Sequence, residues 1–498
     1  MNVVVICSDT FRYDHLGFVG MQPVLTPNLD QLARESACFS DFHLCSFPTV
    51  LNRIEVFSGR YAFPHFDWGP QPFEYPVLSE VFTRHGFATA LVADNPHLMK
   101  SEFGFGRGFQ YVKDIPGQAD DRFQPDSAPM IDLPCPAERL DPRPRRLARY
   151  RRNAFWYRQR GSSTTETVFR EATRWIADRE GKFFLWIDAF DPHEPWDAPE
   201  EFRKLYPWND RGEWVFWPRY GKAARYSDAD LENMRSLYRA EITRIDHWVG
   251  HFIEHLREAR LLEHTAVIFC SDHGFYLGEH GLLGKLRLER PTVLYEELTH
   301  APLLLRHPAG CGAGQTFPGL CQPPDLFVTA LELAGIPPVH WAHGDSLVNR
   351  LSGGKPGRQF AVGGCHPRRE HPSCLTVWTE EWCFIYSPQD GLDGSELYHR
   401  PSDPAQEANV IAAHRDVAAD HFRLLESWLE GFSLSPARRR QLLHADGFSR
   451  LDGLKQRLHL WRKRRDYRRQ FRHYARFRAE PALELVPVLS RRNPVLDR

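Results

Sequence analysis

The chain lacks a charge excess and a long apolar run, and we expect no signal peptide. Its 63 basic and 64 acidic residues nearly cancel, which argues against a polycation that coats nucleic acid or membrane surfaces. No segment approaches the roughly 20 consecutive apolar residues of a membrane span, so we expect no membrane partner. The apolar N-terminal run is too short for a signal peptide, and cleavage there would remove Asp9, a candidate site residue.

The ten cysteines lack any CxxC pair, and Cys7 and Cys270 lie inside apolar runs. This distribution predicts reduced, buried thiols and a cytoplasmic protein. The sequence also contains no internal repeats and no low-complexity linker. Single hydrophobic cores rarely grow past roughly 250–300 residues. A chain of 498 residues is therefore expected to hold more than one domain.

What the sequence does contain is an alternation of apolar strands and amphipathic helices. We predict strands at 3–7, 88–92, 183–190 and 265–270, and helices at 29–36 and about 228–259. The alternation predicts an α/β fold with a doubly wound, mostly parallel sheet flanked by helices. Ligands of such sheets gather beyond the carboxyl ends of the strands. Polar clusters follow four of these strands, at Asp9, 94–97, 191–193 and 272–273.

The character of the chain changes after residue 350. Residues 351–415 contain short aromatic-bearing segments between Gly/Pro turns, which predicts a small antiparallel sheet. The segment from about 416 onward is helical and increasingly basic. We therefore expect a catalytic domain at 1–350, a small C-terminal α+β subdomain at 351–415 and a basic helical extension at 416–498.

Candidate metal ligands follow two of the predicted strands. Asp272 and His273 in SDHG can both ligate one divalent cation, and Asp9 is the natural third ligand from the same sheet edge. A DHG tripeptide alone is more often a polar turn, and Asp9 alone could be a cap residue. The continuation GFYLGEHGLLGK brings His280 and Lys285 nearby. The ligand set suits one Mn, Ca, Mg or Zn ion.

Several segments together resemble the sulfatase family of the alkaline-phosphatase superfamily. They are NVVVICSDTFRYDHLG, TPNLDQLARES, SGRY, DPHEPW, SDHGFYLGEHGLLGK, PDLFVTALELAGIP and ELYHRPSDPAQEANV, in the family's order over about residues 1–415. The resemblance implies a hydrolase of sulfuric or phosphoric esters whose metal is bound by Asp9, Asp272, His273 and the nucleophile. It also implies an anion pocket that includes His193 and Lys285.

Two parts of the anion pocket depart from the family or allow a plainer interpretation. Asn95 and His97 stand where many members have Lys-x-His, so one lysine is missing. His193 could donate a proton to the leaving group or contact the anion, but a loop histidine bonded to the backbone is equally ordinary. Lys285 could reach the substrate oxyanion or form a surface salt bridge.

The nucleophile position also departs from the family. Sulfatases use a formylglycine made from Cys or Ser in a C/S-x-P-x-R context. Arg53 falls on the motif arginine, which places Thr49 at the nucleophile position, with Asn52 between them. This arrangement is similar to the nucleotide pyrophosphatase/phosphodiesterase branch, in which a threonine attacks phosphorus and a nearby asparagine steadies a non-bridging oxygen. Ser46, modified or unmodified, is the alternative nucleophile of a true sulfatase.

Chemistry favours Thr49 acting on phosphorus. A formylglycine hydrate expels sulfate by collapsing to the aldehyde, whereas a threonine ester must be hydrolysed at the central atom. Phosphoryl-enzymes undergo this hydrolysis readily, and sulfated threonine should turn over slowly. A bound cation would lower the hydroxyl pKa, and Arg53 could hold the alkoxide or a non-bridging oxygen.

Two arginine-rich segments, 143–160 and 455–478, carry interleaved aromatic residues. Nucleic-acid binding through them is conceivable but not favoured. Solvated faces, pairing with acidic surface of the core or of a second subunit in a homo-oligomer, or a rim that attracts a small anionic ester substrate explain them better. The competing function is a non-catalytic family member that binds anionic glycans or nucleic acid. Such a module has no need for Asp9, Asp272, His273 and Lys285 together.

Overall fold

The structure is a computed structural model. It describes residues 1–444 apart from 101, 120, 122, 124, 126–127, 142, 178, 286–292, 355–356 and 366–373. The predicted basic segment 455–478 and most of the predicted helical extension lie outside the described residues. The division into three domains stays a prediction.

The described strands are β1 (Asn2–Ser8), β2 (Ala37–Phe39), β3 (Ser46–Phe47), β4 (Ala88–Ala93), β5 (Tyr111–Asp114), β6 (Phe183–Ala189), β7 (Gly221–Lys222), β8 (Thr265–Ser271), β9 (Tyr276–Leu277), β10 (Leu282–Gly284), β11 (Leu303–Arg306), β12 (Gln315–Phe317), β13 (Ala361–Cys365), β14 (Leu375–Trp378), β15 (Trp382–Ser387) and β16 (Gly391–His399). The described α-helices are α1 (Pro27–Arg34), α2 (Thr49–Ser58), α3 (Leu78–Arg84), α4 (Pro144–Arg158), α5 (Thr164–Ala177), α6 (Glu200–Arg203), α7 (Asp228–Glu258), α8 (Glu296–Thr299), α9 (Pro323–Leu333), α10 (Val348–Leu351), α11 (Arg415–Glu430) and α12 (Pro436–Leu443). Each predicted strand and helix is present within two residues of its expected bounds.

Eight strands form the large sheet, in the order β12-β2-β11-β8-β1-β6-β4-β5. The central strand β1 pairs in parallel with β6 and β8, whereas β11 is antiparallel to both of its neighbours. The α/β fold with a doubly wound, mostly parallel sheet is thus confirmed. Because β1, β6 and β8 are adjacent and parallel, the residues that follow them meet at one edge of the sheet.

Helices cover both faces of this sheet. Val4 and Ile6 of β1 belong to one buried cluster together with residues of α5 and α7. Val3 and Val5 point to the opposite cluster, which includes residues of α2 and α9. This alternation follows from the two-residue period of a strand. A strand buried on both faces is apolar along its whole length, as the VVVIC run of β1 is.

The small sheet has the order β16-β15-β14-β13-β3. Strands β13 to β16 are antiparallel neighbours, as predicted for 351–415. The fifth strand, β3, comes from the N-terminal part of the chain and pairs in parallel with β13. Helix α11 packs on β14, β15 and β16.

None of the described helices combines the length and apolarity needed to cross a bilayer.

Candidate metal centre and anion site

Thr49 is the first residue of α2 and is 3% exposed. Its Oγ1 donates a hydrogen bond to Asp9 Oδ2 at 3.2 Å and lies 3.3 Å from His273 Nε2. The N-terminus of a helix carries partial positive charge and unpaired N–H groups, which favour an anion there. The Thr49 hydroxyl therefore sits between the candidate metal ligands and a favourable anion position.

Asp9, Asp272 and His273 form a possible metal site. Their ligand atoms all lie within 4.8 Å of one another, and the three side chains are buried. Burial and the nearby charge of Asp272 raise the pKa of Asp9 to about 8. Two buried carboxylates at such close range repel each other when both are ionised, and a bound cation would offset this repulsion. Two hard oxygen donors and an imidazole nitrogen match a divalent metal ion.

The ring of His273 is neutral and has one nitrogen free of backbone contacts, as a candidate metal ligand needs. Burial lowers the pKa of its ring to about 4, so the imidazole is uncharged at neutral pH. Its Nδ1 donates to the carbonyl of Gly274 at 3.0 Å, which leaves the lone pair on Nε2, the nitrogen that faces Thr49. Backbone acceptors fix metal-binding histidines in this way.

The guanidinium group of Arg53 binds carboxylates of the protein. Its Nε and Nη2 donate to the two carboxylate oxygens of Asp188, at 2.7 and 3.1 Å, and its Nη1 lies 3.2 Å from Asp272 Oδ2. Asn95 Nδ2 donates to both Asp9 Oδ2 and Asp188 Oδ1, each at 3.1 Å. Arg53 and Asn95 therefore hold the carboxylates of the metal site in place. A direct role of either side chain toward substrate stays a prediction.

Lys285 and His193 converge on Glu194. Lys285 Nζ lies 3.5 Å from Glu194 Oε2, and His193 Nδ1 donates to the carbonyl of Glu194 at 2.6 Å. Tyr220 donates its hydroxyl to the other carboxylate oxygen of Glu194. Burial lowers the pKa of His193 well below its usual range, and the charge of Lys285 adds to this effect. Lys285 is thus tethered beside a neutral His193.

The remaining predicted substrate contacts lie at different places. Asn52 Nδ2 donates to the carbonyl of Asp272 at 3.3 Å. His97 packs edge-on against Trp68 and near Phe190, and its charge bears on His193. His280 instead stacks on Tyr295 and lies 3.2 Å from Glu297 Oε2. The structure thus places Asn52 and His97 around the site and gives His280 other partners.

Ser46, the alternative nucleophile, lies on β3 and contacts Glu55. Its hydroxyl donates to Glu55 Oε1, and its backbone N–H donates to Glu55 Oε2 at 3.1 Å. Ser46 Oγ also accepts the N–H of Phe63 at 2.7 Å. Burial raises the pKa of Glu55 to about 7. Ser46 and Thr49 therefore face different partners on the two sides of Pro48.

The sequence interpretation missed three residues of this region, Asp188, Glu194 and Glu55. Each gave a weak signal as an acidic residue inside an otherwise apolar or proline-rich stretch, FFLWIDAF, DPHEPW and NRIEVF. A buried carboxylate needs a partner. Its presence in such a stretch could therefore have marked it, although the partner could not be named from the sequence.

The first arginine-rich segment forms α4, and several of its arginines pair with acidic residues. Arg143 and Arg146 bind Asp141 at 2.5 and 3.1 Å, and Arg158 lies 3.7 Å from Asp197. The charge of Arg146 also contributes to the low pKa of His193, which places this end of α4 on the side of the candidate site. These pairings match a helix docked on acidic surface of the same chain.

Comparison with known proteins gives consistent matches. The Sulfatase family model matches residues 1–336. An arylsulfatase of Clostridium perfringens is 22% identical over 457 residues, which cover 82% of this chain and 90% of the relative. A multifunctional alkaline phosphatase superfamily protein of Trinickia caryophylli is 24% identical over 424 residues, covering 71% of this chain and 78% of the relative.

Solved structures match the fold over most of its length. A phosphonate monoester hydrolase of Agrobacterium radiobacter superposes with a TM-score of 0.65 at 21% identity, covering 86% of this chain and 95% of that chain. At this identity the likeness concerns the architecture of the sheet and its helices.

Proposed function

This chain belongs to the sulfatase family of hydrolases that cleave sulfuric or phosphoric esters, and we propose that it attacks small, singly charged phosphorus esters through the Thr49 hydroxyl. The observation that carries the proposal is the position of Thr49 Oγ1, 3.2 Å from Asp9 Oδ2 and 3.3 Å from His273 Nε2. Ser46, the residue a formylglycine would require, is bonded to Glu55 instead.

Asp9, Asp272, His273 and Thr49 would hold one divalent metal ion, which would lower the pKa of the Thr49 hydroxyl and offset negative charge on the reacting group. The residues of the chain supply the rest. Asp9 accepts the Thr49 hydroxyl proton in the hydrogen bond described above. Asn52, at the first turn of α2, would contact a non-bridging oxygen. Lys285 would add a positive charge near the reacting group.

His193 is the candidate for proton exchange. Its Nδ1–H is committed to the Glu194 carbonyl, so Nε2 is the nitrogen left to exchange a proton with substrate or water. Because its pKa lies well below the usual range, the ring starts neutral and can take a proton from the water that hydrolyses the threonine ester. The protonated ring, whose pKa is low, then releases the proton to solvent and is neutral again for the next cycle.

The charges around the site favour a singly charged substrate. The cation of Arg53 is balanced by Asp188, and the cation of Lys285 is balanced by Glu194. Asn95 occupies the position at which many family members carry a further lysine. With few uncompensated cations, the site has less attraction for a dianionic phosphate monoester than for a phosphodiester or a phosphonate monoester, each of which carries one charge.

The test is hydrolysis of a matched p-nitrophenyl panel with added Mn²⁺: a phosphate monoester, a phosphate diester, a phosphonate ester and a sulfate. We expect the diester and the phosphonate ester to turn over fastest. We expect Thr49→Ala to lose at least about 10³-fold in kcat, the usual scale for removing a nucleophile. Ser46→Ala is the matched control and should keep its turnover in proportion to folded protein.

Sulfate turnover that survives Thr49→Ala and disappears in Ser46→Ala would contradict the proposal and restore a Ser46-based sulfatase. A cytoplasmic location and a homo-oligomer also remain proposals. Cell fractionation and light scattering of the purified protein test them.

A further inference from the structure

A basic concavity lies on the surface at the N-terminal half of α7. It has a volume of about 590 Å³ and is bounded by the loop 207–211 and by one face of the helix. Its lining includes Trp208, Arg211, Arg235 and Arg239, which we call the arginine pocket. No lining residue is one of the metal-site residues, so the pocket is separate from that site.

The guanidinium groups of this pocket lack the carboxylate partners that other arginines of the protein have. Within the described part of the chain, Arg211 and Arg235 make no side-chain hydrogen bond or ion pair, and Arg239 donates only to Gln22 Oε1, at 3.3 Å. By contrast, Arg12, Arg53 and Arg244 each have a carboxylate within about 3 Å (2.6, 2.7 and 3.0 Å).

The like charges in the pocket are close enough to oppose one another. Arg235 and Arg239 are one helical turn apart, on the same face of α7. Burial, followed by the charge of Arg235, lowers the pKa of Arg239. Two acidic residues, Asp210 and Glu232, also line the pocket, but Glu232 accepts a hydrogen bond from Asn209 Nδ2 at 2.7 Å. A bound oxyanion would relieve the repulsion between Arg235 and Arg239.

The wall opposite the helix is held firmly. Asn209 and Asn233 exchange two hydrogen bonds, from Asn209 N at 2.8 Å and from Asn233 Nδ2 at 3.0 Å. Ser236 Oγ donates to the carbonyl of Pro207 at 2.7 Å. These bonds fix the loop that carries Trp208, a residue that is 44% exposed. A preformed cavity loses little conformational freedom when a ligand binds.

We propose that the arginine pocket binds the tetrahedral oxyanion group of a small organic ester, such as a sugar phosphate or a sugar sulfate. Arg211, Arg235 and Arg239 would donate charge-assisted hydrogen bonds to the oxyanion. The exposed face of Trp208 would pack against the carbon part of the ligand. The site requires neither the metal ion nor Thr49, so it stands independently of the proposed catalytic function.

The experiment is isothermal titration calorimetry of the full chain with inorganic phosphate and with glucose 6-phosphate. We expect one class of sites to disappear, or to weaken at least about tenfold, when Arg235→Gln and Arg239→Gln are combined, because two charge-assisted donors are lost. Turnover of a small p-nitrophenyl ester should be unchanged. Arg257→Gln is the matched control, because Arg257 lies on the same helix and is paired with Glu254 and Glu35.

Two further variants separate the parts of the pocket. Trp208→Ala should weaken binding of glucose 6-phosphate and leave that of inorganic phosphate unchanged. Arg211→Gln, on the loop rather than the helix, guards against a folding defect of the double variant and should weaken both ligands. Isotherms of the double variant that match wild type in affinity and stoichiometry would overturn the proposal, as would an equal loss in Arg257→Gln.

Discussion

If Lys285 contacts the substrate as proposed, Glu194 should limit the positive charge that it presents. The two side chains lie 3.5 Å apart and are both buried, so the carboxylate offsets much of the ammonium charge. Glu194→Gln should therefore raise kcat/KM for a phosphate monoester dianion relative to the diester by roughly tenfold, which corresponds to about 1.4 kcal/mol less repulsion toward the second charge of the monoester. The ratio of the two kcat/KM values measures this shift.

Tyr220→Phe is the control for this prediction. It removes the hydroxyl that donates to Glu194 but changes no charge. A change in the monoester-to-diester ratio that is as large in Tyr220→Phe as in Glu194→Gln would show that packing, rather than charge, is responsible.

The pKa of His193 should respond to Lys285. Burial is the main cause of its low value, and the positive charge of Lys285 is the next. Removal of a nearby positive charge favours the protonated imidazolium, so Lys285→Met should raise the pKa of His193 and move the acid limb of its titration to higher pH. NMR titration of the ring measures this directly. Lys285→Arg keeps the charge, and a similar rise in that variant would contradict the explanation.

At the residue scale, the sequence predicts the positions of Asp9, Asp272, His273 and Thr49 because the positions of the strand ends and of a helix start determine them. It does not predict that Arg53 and Asn95 bind Asp188. Those contacts depend on side-chain directions across the sheet. His280 contacts Tyr295 and Glu297. These contacts also could not be predicted, because they depend on the path of a Gly-rich loop that residue types alone do not specify.

At the scale of the element, hydrogen bonds to Glu55 stabilise the turn that leads into α2. It accepts hydrogen bonds from the backbone and hydroxyl of Ser46 and from the N–H of Ala62. Because Glu55 lies two helical turns after the start of α2, the carboxylate links the helix to the strand before it. The link orients the first turn, which carries Thr49.

The stability of this element should depend on pH. Burial raises the pKa of Glu55 from its usual value of 4.5 to about 7, so the folded state binds the proton more tightly than the unfolded state. The contribution to stability is present below about pH 4.5 and is lost as pH rises through about 7. Relative to Glu55→Gln, the free energy of unfolding of the wild type should thus fall by up to about 3 kcal/mol between pH 5 and pH 8.

Urea denaturation of the two proteins at several pH values measures this difference. A free-energy difference that stays constant across the range would show that Glu55 is ionised throughout, held as a carboxylate by its three donors.

The order of the secondary structure elements was predictable because apolar runs and their spacing determine it. The strands β1, β4, β6 and β8 appear within two residues of their expected bounds. The membership of β3 in the small sheet was not predictable, since a two-residue strand has no periodicity and its partner β13 lies more than 300 residues away.

At the scale of the whole molecule, the small sheet is physically joined to the segment that carries Thr49. Strand β3, two residues before Thr49, is an edge strand of the small sheet. Arg400, directly after β16, forms an ion pair with Asp41 on the segment between β2 and β3, and donates to the carbonyl of Thr379 at 2.7 Å. The charges of His43 and Arg400 hold the pKa of Asp41 below its usual range despite burial.

Arg400→Gln should therefore weaken both folding and catalysis. The pair is largely buried, with side chains 17% and 15% exposed, and loss of one partner leaves a carboxylate without its cation. We expect the free energy of unfolding to fall by about 2–4 kcal/mol. We also expect a lower kcat, because the segment before Thr49 is less firmly held. Arg415→Gln breaks an exposed pair with Asp393 and should cost at most about 1 kcal/mol. Thermal unfolding and kcat of both variants test the link, and equal effects in the two would show that Arg400 does not connect the small sheet to the active site.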